Sequence, residues 1–195
     1  MVCDESKCYL GARDGFFYAL RIADGKIAWQ FDGRRFFSHP RGNIWADHHV
    51  IDMGASVVFC VGHQDIGAPS VMASVQKDTG KIVWAVYHPT LLGGRFLAAE
   101  GVLVAMAEDR RMVVVSSVDG TSVNCSPIPD PPNSIDPISG RARGEFAGVS
   151  LDEGDLYIVG ADAHVWRLPF GSVKGTLKWP AARAPIRLPE ADGKG

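Results

Sequence analysis

The chain has 195 residues, of which 46% are apolar and 22% are charged, and this balance excludes wholesale disorder. Its net charge of −2 gives no electric field that would gather nucleic acid or anionic lipid. No apolar run reaches the length of a membrane span, and the acidic residues within 1–7 do not fit the start of a signal peptide. We therefore expect a soluble domain with one substantial core, no nucleic-acid partner and no direct membrane span.

Short apolar runs, broken by Gly, Asp or Pro roughly every eight to twelve residues, fill the chain, and such spacing is typical of an all-β sandwich, barrel or propeller. No window keeps a 3.6-residue apolar period for long enough to indicate a helix. The runs fall into groups of four. Four-stranded antiparallel units in series are the blades of a β-propeller, and this is the fold that we predict.

The first three groups predict three blades in chain order. The first is a partial blade over 7–31, which lacks its opening strand because there is no room for one before Cys8. The second and third blades are predicted over 48–87 and 95–125. A glycine in the turn before each outer strand supplies the positive φ that tight turns need, and these glycines are Gly25, Gly80 and Gly120.

A proline-rich segment over 126–144 separates the third group from the fourth. Its prolines deny hydrogen-bond donors to a strand ladder, so it is predicted to be an inter-blade loop. Loops of this length are usually functional or disordered, and we interpret this one as a contact loop. The fourth blade is predicted over 145–179, with its outer strand at 175–179, and an extended tail follows over 180–195.

Closure of the ring has three possible solutions. The strand-like piece 186–188 of the tail returns to complete the first blade, a second chain supplies the missing blades, or the chain is part of a longer propeller. Pro185 and Pro189 flank the piece and weaken its ladder, so we favour an outside supplier. An unpaired blade edge is an aggregation hazard, and we therefore expect the isolated chain not to behave as a simple monomer.

A strand–turn–strand pattern recurs in all four groups. Three copies end on a tryptophan, namely Trp29, Trp84 and, in a weaker copy, Trp179, whereas the third copy ends on Asn124. These end positions lie 40 or 55 residues apart, a period typical of a repeated supersecondary unit. We expect Trp29 and Trp84 to occupy equivalent, mostly buried places in successive blades.

Two of these copies carry a family resemblance, which is strongest over 8–31 and 56–87. The segments 18–29 and 75–84 resemble the repeat of the pyrroloquinoline-quinone-type, or quinoprotein-like, propellers. That repeat reads approximately Tyr-Ala-Leu-Asp, two residues, Thr-Gly-Lys, two residues, Trp. The resemblance implies that the repeat tryptophan caps the outer part of a blade and packs on the neighbouring blade, which is a structural role.

The same family includes quinone-dependent dehydrogenases, so catalysis has to be considered. The resemblance implies that such enzymes have eight blades, an adjacent Cys-Cys disulfide, a calcium site of carboxylates and amides, an Asp base and a Trp floor. This chain has no adjacent cysteine pair and about half of the blades. Fold alone does not confer activity, so we expect neither catalysis nor a cofactor.

A histidine-rich segment offers weak candidates for a metal site, which are His48, His49, His63 and Asp65. Imidazole and carboxylate groups suit zinc, but their spacing matches no recognised ligand set. Adjacent strand residues also point to opposite faces, so His48 and His49 cannot both face one site. We interpret these residues as polar groups at a blade end and expect no metal to be required.

The four cysteines show no zinc-like spacing. Cys3 and Cys8 are near enough in sequence to bridge, and an even count is the sole support for that bond. Cys60 and Cys125 lie in apolar strands, where a buried free thiol is the ordinary interpretation.

The sequence therefore favours a non-catalytic propeller scaffold that mediates protein–protein interaction, as a subunit of a larger assembly. Its partner would be another protein or the remaining propeller blades. The alternative is part of a quinoprotein-like dehydrogenase or ligand-binding propeller whose other blades are absent. Near the first blade, Arg34-Arg35, Phe36-Phe37 and Trp45 are either core plugs or partner anchors, since interfaces are enriched in aromatic residues and arginine.

Overall fold

A computed structural model describes residues 1–37, 44–63, 70–88, 92–107, 111–128, 146–160, 164–173 and 186–187. Within these ranges the chain consists almost wholly of β-strands and tight turns. Helix is limited to single turns, a 3-10 helix at Gly33–Phe36 and α1 at Phe170–Val173. The predicted all-β class is confirmed.

The strands form four antiparallel sheets, and in each the hydrogen-bonded order follows the chain. The first sheet contains β1 (Val2–Cys3), β2 (Lys7–Gly11), β3 (Phe16–Arg21) and β4 (Ile27–Asp32). The second contains β5 (Ile44–Asp52), β6 (Ser56–His63), β7 (Ser70–Gln76) and β8 (Ile82–His88). The third contains β9 (Leu92–Ala99), β10 (Val102–Ala107), β11 (Arg111–Ser116) and β12 (Ser122–Pro127). The fourth contains β13 (Phe146–Asp152), β14 (Asp155–Gly160), β15 (His164–Pro169) and β16 (Ile186–Arg187).

One turn geometry precedes the outer strand in each of the first three sheets. Its glycine has a φ of 68°, 67° or 72°, a conformation that strains any residue with a Cβ. In all three copies the glycine N–H donates to the carbonyl four residues earlier at 2.9 Å. The register then shifts by one residue in the outer strand, immediately before Trp29, Trp84 and Asn124. The repeat in the sequence is therefore a repeat of backbone geometry.

The sheets pack face to face in chain order, as the blades of a propeller do. The strand β5 packs beside β2 and β9, and β9 packs beside β13. Apolar clusters fill the three spaces between successive sheets. In β6, Val57 and Phe59 point towards the first sheet, whereas Val58 and Cys60 point towards the third. Successive residues of β6 thus pack into the apolar clusters on opposite faces of the sheet. This explains why the strand is apolar at almost every position.

The first sheet has the opening strand that we predicted to be missing. The strand β1 needs only two residues, which pair with Tyr9 and Cys8 of β2. A disulfide joins Cys3 to Cys8 across this pair, so the sheet gains its edge strand from a very short segment. Of the other two cysteines, Cys60 is buried, but Cys125 is exposed, contrary to expectation, because it lies on the outermost strand of its sheet.

The tail also differs from the expectation. Ile186–Arg187 pairs with β15 and completes the fourth sheet, so it does not return to the first blade, which was one of the three solutions considered for closing the ring. The predicted outer strand at 175–179, including Trp179, lies outside the described residues. The strand β12 continues through Pro127, so the predicted proline-rich loop begins too early, and most of that loop also lies outside the described ranges. The second and third sheets begin earlier than predicted, at Ile44 and Leu92.

Candidate interaction surface

One end of the first sheet brings together three separate segments of the chain. The turn between β2 and β3, the 3-10 helix after β4, and the start of β5 all meet there. The backbone ties them, since the N–H of Gly33 donates to Gly15 O (3.0 Å) and the N–H of Ala46 donates to Ala12 O (3.0 Å). Gly15 makes this approach possible, because a Cβ at that position would lie 2.7 Å from Arg34 Cγ and 3.1 Å from Ile44 O.

Arg34 is held firmly at this end by a carboxylate and a ring. Its Nε and Nη2 donate to the two oxygens of Asp32, at 2.8 and 3.0 Å. The Arg34 guanidinium carbon also lies 4.3 Å from the centre of the Phe16 ring. The hydrogen bond from Arg34 lowers the pKa of the Asp32 carboxyl below its ordinary value. Asp32 additionally caps the 3-10 helix by accepting from the Arg34 backbone N–H.

Two further arginines, Arg13 and Arg35, lie over aromatic rings, but unlike Arg34 they have no carboxylate partner among the described residues. The guanidinium of Arg13 lies 4.8 Å from the Trp45 ring centre, and that of Arg35 lies 5.9 Å from the Phe31 ring centre. Both arginines are exposed. Among the described residues, neither forms an ion pair with a carboxylate. A guanidinium stacked on a ring keeps its N–H groups available at its edge, so these two cations can still bind a carboxylate.

The Phe31 ring beneath Arg35 is continuous with the hydrophobic core. Phe31 is buried, and its ring meets the Phe59 ring edge-on at 5.7 Å. Phe59 in turn stacks on Phe17 of the first sheet at 3.8 Å. Arg35 therefore lies over a ring that belongs to the core. We name the set formed by Arg13, Phe16, Arg34, Arg35 and Trp45 the arginine–aromatic surface.

The repeat tryptophans lie at the opposite end of the blades and make one kind of contact. The indole N–H of Trp29 donates to Lys77 O of the second sheet at 2.7 Å, and that of Trp84 donates to Ser117 O of the third sheet at 3.2 Å. Each accepting carbonyl lies three residues before the turn glycine. A Cβ on Gly80 would lie 2.8 Å from the Trp29 ring, and one on Gly120 would lie 2.6 Å from the Trp84 ring.

We name this arrangement, a turn glycine with the carbonyl three residues before it, a tryptophan seat. Trp84 is only 6% exposed, and Trp29 is partly buried against the core of the first two sheets. The seats join the first sheet to the second and the second to the third. They are structural contacts, and they fix how successive blades lie against each other.

A polar network accompanies the first seat. The Tyr9 hydroxyl donates to the Asp4 carboxylate at 2.7 Å. Lys77 Nζ lies 2.7 Å from an oxygen of Asp52 and 3.8 Å from one of Asp4, so it links the first two sheets. The Tyr9 hydrogen bond is the main cause that holds the pKa of Asp4 well below its usual range. Burial, followed by the bond to Asp4, raises the pKa of Tyr9 well above its usual range.

The histidine-rich segment provides no metal site in the part of the chain that the structure describes. No three His, Cys, Asp or Glu side chains there are grouped so as to hold an ion. His49 Nε2 lies 3.0 Å from Phe96 O, and its ring meets the Phe96 ring edge-on. The side chains of His48 and His63, and the whole of Asp65, lie outside the described residues.

The sequence named Arg34, Arg35 and Trp45 as possible anchors but missed Arg13, which lies in an unremarkable turn. The turn that contains Arg13 pairs with the start of β5 in the folded backbone, and nothing in the sequence indicates this pairing.

In the described ranges, no helix is long and apolar enough to cross a bilayer.

Neither a family model nor a curated protein matches the chain. Among solved structures, BamB from Moraxella catarrhalis superposes with a TM-score of 0.60 at 18% identity, covering 91% of this chain and 46% of that one. A europium-containing methanol dehydrogenase gives a TM-score of 0.62 at 11% identity, covering 97% and 44%. The computationally designed Ika4 protein gives 0.60 at 15% identity, covering 87% and 88%.

The chain has the fold of the quinoprotein-type β-propellers. This confirms the resemblance seen in the sequence, and at these levels of identity it concerns the fold alone. The chain spans less than half the length of BamB and of the methanol dehydrogenase, so it corresponds to part of each of those proteins.

Proposed function

We propose that this chain is a non-catalytic β-propeller scaffold that mediates protein–protein interaction as a subunit of a larger assembly. The observation that supports this most directly is the arginine–aromatic surface. Protein interfaces are enriched in arginine and large aromatic residues at the positions that carry most of the binding energy. Here both residue types occur together, and the Phe31 ring beneath Arg35 packs into the core.

The charge of this surface suggests the chemistry of the partner. Arg34 is already paired with Asp32, whereas Arg13 and Arg35 have no carboxylate partner among the described residues. A partner with acidic side chains would supply the missing carboxylates, and arginine binds carboxylates through two parallel hydrogen bonds. Trp45 and Phe16, both half-buried, would cover the apolar part of the contact. We therefore propose an acidic protein segment as the partner.

The structural neighbours are compatible with this role. The superposition on BamB from Moraxella catarrhalis covers 91% of this chain, so the chain has a fold on which a scaffold can be built. The likeness supports the proposal only through the fold, because 18% identity is too low to carry a function across.

The proposal can be tested by crosslinking in the cells from which the chain comes. A photoreactive amino acid in place of Trp45 should yield a crosslink to a distinct protein. The same amino acid in place of Val118, which is 78% exposed on a turn at the other end of the blades, serves as the position control. Crosslinking that occurs at both positions alike, or at neither, would contradict the proposal.

A charge control separates specific binding from general attraction. Arg13→Gln and Arg35→Gln, in the chain that carries the photoreactive group, should each reduce the crosslink. Arg21→Gln removes the same charge from an arginine that is already paired with Asp24 at the other end of β3, and it should not reduce it. Raising the salt concentration should weaken the contact, since exposed charges are screened.

The alternative is that the chain forms part of a quinoprotein-like dehydrogenase. The match to the methanol dehydrogenase and to a quinohemoprotein alcohol dehydrogenase from Comamonas testosteroni, each at a TM-score of 0.62, favours it. Tryptophan fluorescence during titration with pyrroloquinoline quinone, with and without calcium, would test it. Saturable quenching at micromolar quinone would favour the enzyme over the scaffold.

A further inference from the structure

The outer strand of the second sheet, β8, has one edge with which no strand pairs in the part of the chain that the structure describes. The hydrogen-bonded order of that sheet ends with β7 and then β8. In β8, Trp84 and Val86 pack into the apolar cluster shared with the third sheet. The residues that alternate with them, Val83, Ala85 and Tyr87, are all exposed. An unpaired strand edge with apolar side chains is a template for pairing with another chain.

The hydrogen bonds around β7 show which residues of β8 turn their backbone towards this edge. The N–H of Lys77, directly after β7, donates to Ala55 O, directly before β6, at 3.1 Å. Alternate residues of an antiparallel strand bond to opposite neighbours, so Ala73 also bonds to β6. Ala85 lies opposite Ala73 in the ladder between β7 and β8. Its N–H and C=O therefore point to the open edge, and those of Tyr87, two residues later, do the same.

The outer strands of the first and third sheets carry residues that hinder strand addition. The strand β4 includes the charged Asp32, and β12 includes Pro127, which lacks a backbone donor. Charges and prolines are common protection for an exposed edge. The strand β8 contains no proline, lysine, arginine or acid, and its isoleucine, valines, tryptophan and tyrosine all favour extended structure. Of these three outer strands, β8 is therefore the one best suited to pair with another strand.

The order of residues along β8 is self-complementary. When two copies of β8 lie antiparallel with Ala85 at a two-fold axis, Val83 of each copy lies opposite Tyr87 of the other. An aromatic residue opposite a β-branched one is a favourable cross-strand pair, and this pair occurs twice. The alanine at the axis is small, and no charged residue of the strand meets one of the same sign. This symmetry favours a second copy of the chain over an unrelated segment.

We propose that two copies of this chain associate through the open edges of β8 and form one continuous antiparallel sheet across a two-fold axis. The N–H of Ala85 in each copy donates to Ala85 O of the other, and the Val83–Tyr87 pairs flank this centre. Because the contact consists of one strand pair, the dimer is of the weak, reversible kind that small interfaces form. The inference goes beyond the proposed function and does not use the arginine–aromatic surface.

Sedimentation velocity of the full chain, from micromolar to near-millimolar concentration, tests the association. The average mass should rise reversibly from that of one chain towards that of two. Electrophoresis without reductant shows whether a disulfide through the exposed Cys125 mimics this dimer. A chain that stays monomeric over the whole range, or that dimerises only through a disulfide, would overturn the inference.

A charge exchange at Ala85 makes the result specific to this register. Ala85→Lys and Ala85→Glu each place two like charges against each other at the axis, so each should weaken the dimer by about tenfold or more. An equimolar mixture of the two variants should restore it, because lysine then meets glutamate. Gln30→Lys makes a matched change at the corresponding exposed position of β4 and should leave the dimer unchanged. A dimer that survives both single changes, or a mixture that does not recover, would refute pairing through β8.

Amide hydrogen exchange distinguishes a second copy from other occupants of the edge. The N–H groups of Ala85 and Tyr87 should become more protected as the concentration of the chain rises. Equal protection at every concentration would place another segment of the same chain on this edge and would overturn the inference. Monomeric behaviour together with intact crosslinking at Trp45 would refute this inference alone and leave the proposed function standing.

Discussion

The two middle sheets differ from the two terminal ones in how many of their faces are covered. The strand β10 of the third sheet is buried at all six positions, and β7 of the second at six of seven. The strands β3 and β14, in the first and fourth sheets, instead alternate between buried and half-buried residues. A middle blade packs on two neighbours, but a terminal blade packs on one among the described residues. The strand pattern therefore reports which faces are available to other protein.

The difference matters because it separates residues that stabilise the fold from those that are free for binding. Phe59 of the second sheet is fully buried and contacts two rings of the first sheet. Tyr18 of the first sheet is half-buried on the open face, and its hydroxyl donates to Asp14 at 2.7 Å. Four groups of substitutions test how far this contrast holds.

The largest effect is expected in the middle of the stack. Phe59→Ala should lower the free energy of unfolding by about 3–5 kcal/mol, the range for large buried aromatic residues. Tyr18→Ala should cost about 1 kcal/mol, because burial stabilises roughly in proportion to the apolar area covered. Urea denaturation of both variants measures the difference. Equal losses would mean that the open face is covered in solution.

The seat glycines sharpen the comparison. Gly25→Ala, Gly80→Ala and Gly120→Ala all force a Cβ into a positive φ, at a cost of about 1–2 kcal/mol each. At Gly80 and Gly120 the Cβ must also displace an indole ring, and overpacking of this kind adds about 1–3 kcal/mol. Thermal unfolding should therefore rank Gly25→Ala as the mildest change. A ranking in which it matches the other two would indicate that its seat is filled.

Removal of the disulfide tests whether the edge strand β1 of the first sheet contributes to the stability of the other three strands. The bond closes a loop between residues only five apart in sequence, so its removal should cost about 2 kcal/mol, near the low end for disulfides. The paired change Cys3→Ser and Cys8→Ser should produce this loss in urea denaturation. The contact of Trp29 with the second sheet should persist, with unchanged tryptophan fluorescence. A large fluorescence change would show that β1 supports the whole sheet.

The smallest effects concern pH at the first junction. The folded pKa of Asp4 is depressed, so its contribution to stability is present above the ordinary pKa of about 3.9 and is lost as the pH falls below it. The folded pKa of Tyr9 is raised, so stability should fall as the pH rises above about 10, where the unfolded chain loses that proton first. Tyr9→Phe should flatten both limbs of the pH profile. A profile identical to that of the parent would exclude this pair as the cause.

The sequence predicted the parts of the fold that depend on neighbouring residues. Each seat turn is local, since its glycine, its capping side chain and its bulge lie within ten residues of one another, so the repeat around Gly25, Gly80 and Gly120 was visible. The strand β1 was missed because two residues show no alternation, and in the sequence only an even number of cysteines supported the disulfide that joins it to β2. The pairing of β16 with β15 was missed because the sequence of a strand does not show which distant segment will form hydrogen bonds with it.

The candidate surface shows the same limit. The aromatic and basic residues after β4 were recognised, but the partner ring of Arg13 lies in another sheet. Charge pairing was equally invisible, because Arg34 and Arg35 are adjacent in sequence and only one of them meets Asp32. Whether an arginine is paired with a carboxylate depends on the positions of the side chains in the folded structure. Those positions are fixed only after the sheets have packed together.

The stacking of sheets in chain order has a consequence for how the protein folds. Because the principal contacts join each sheet to the next one along the chain, stability is approximately a sum of local units and their junctions. Structure can then nucleate between the second and third sheets and spread towards both ends. Amide hydrogen exchange should be slowest in β7 and β10 and fastest in β1 and β16, where opening requires the loss of a single two-residue ladder.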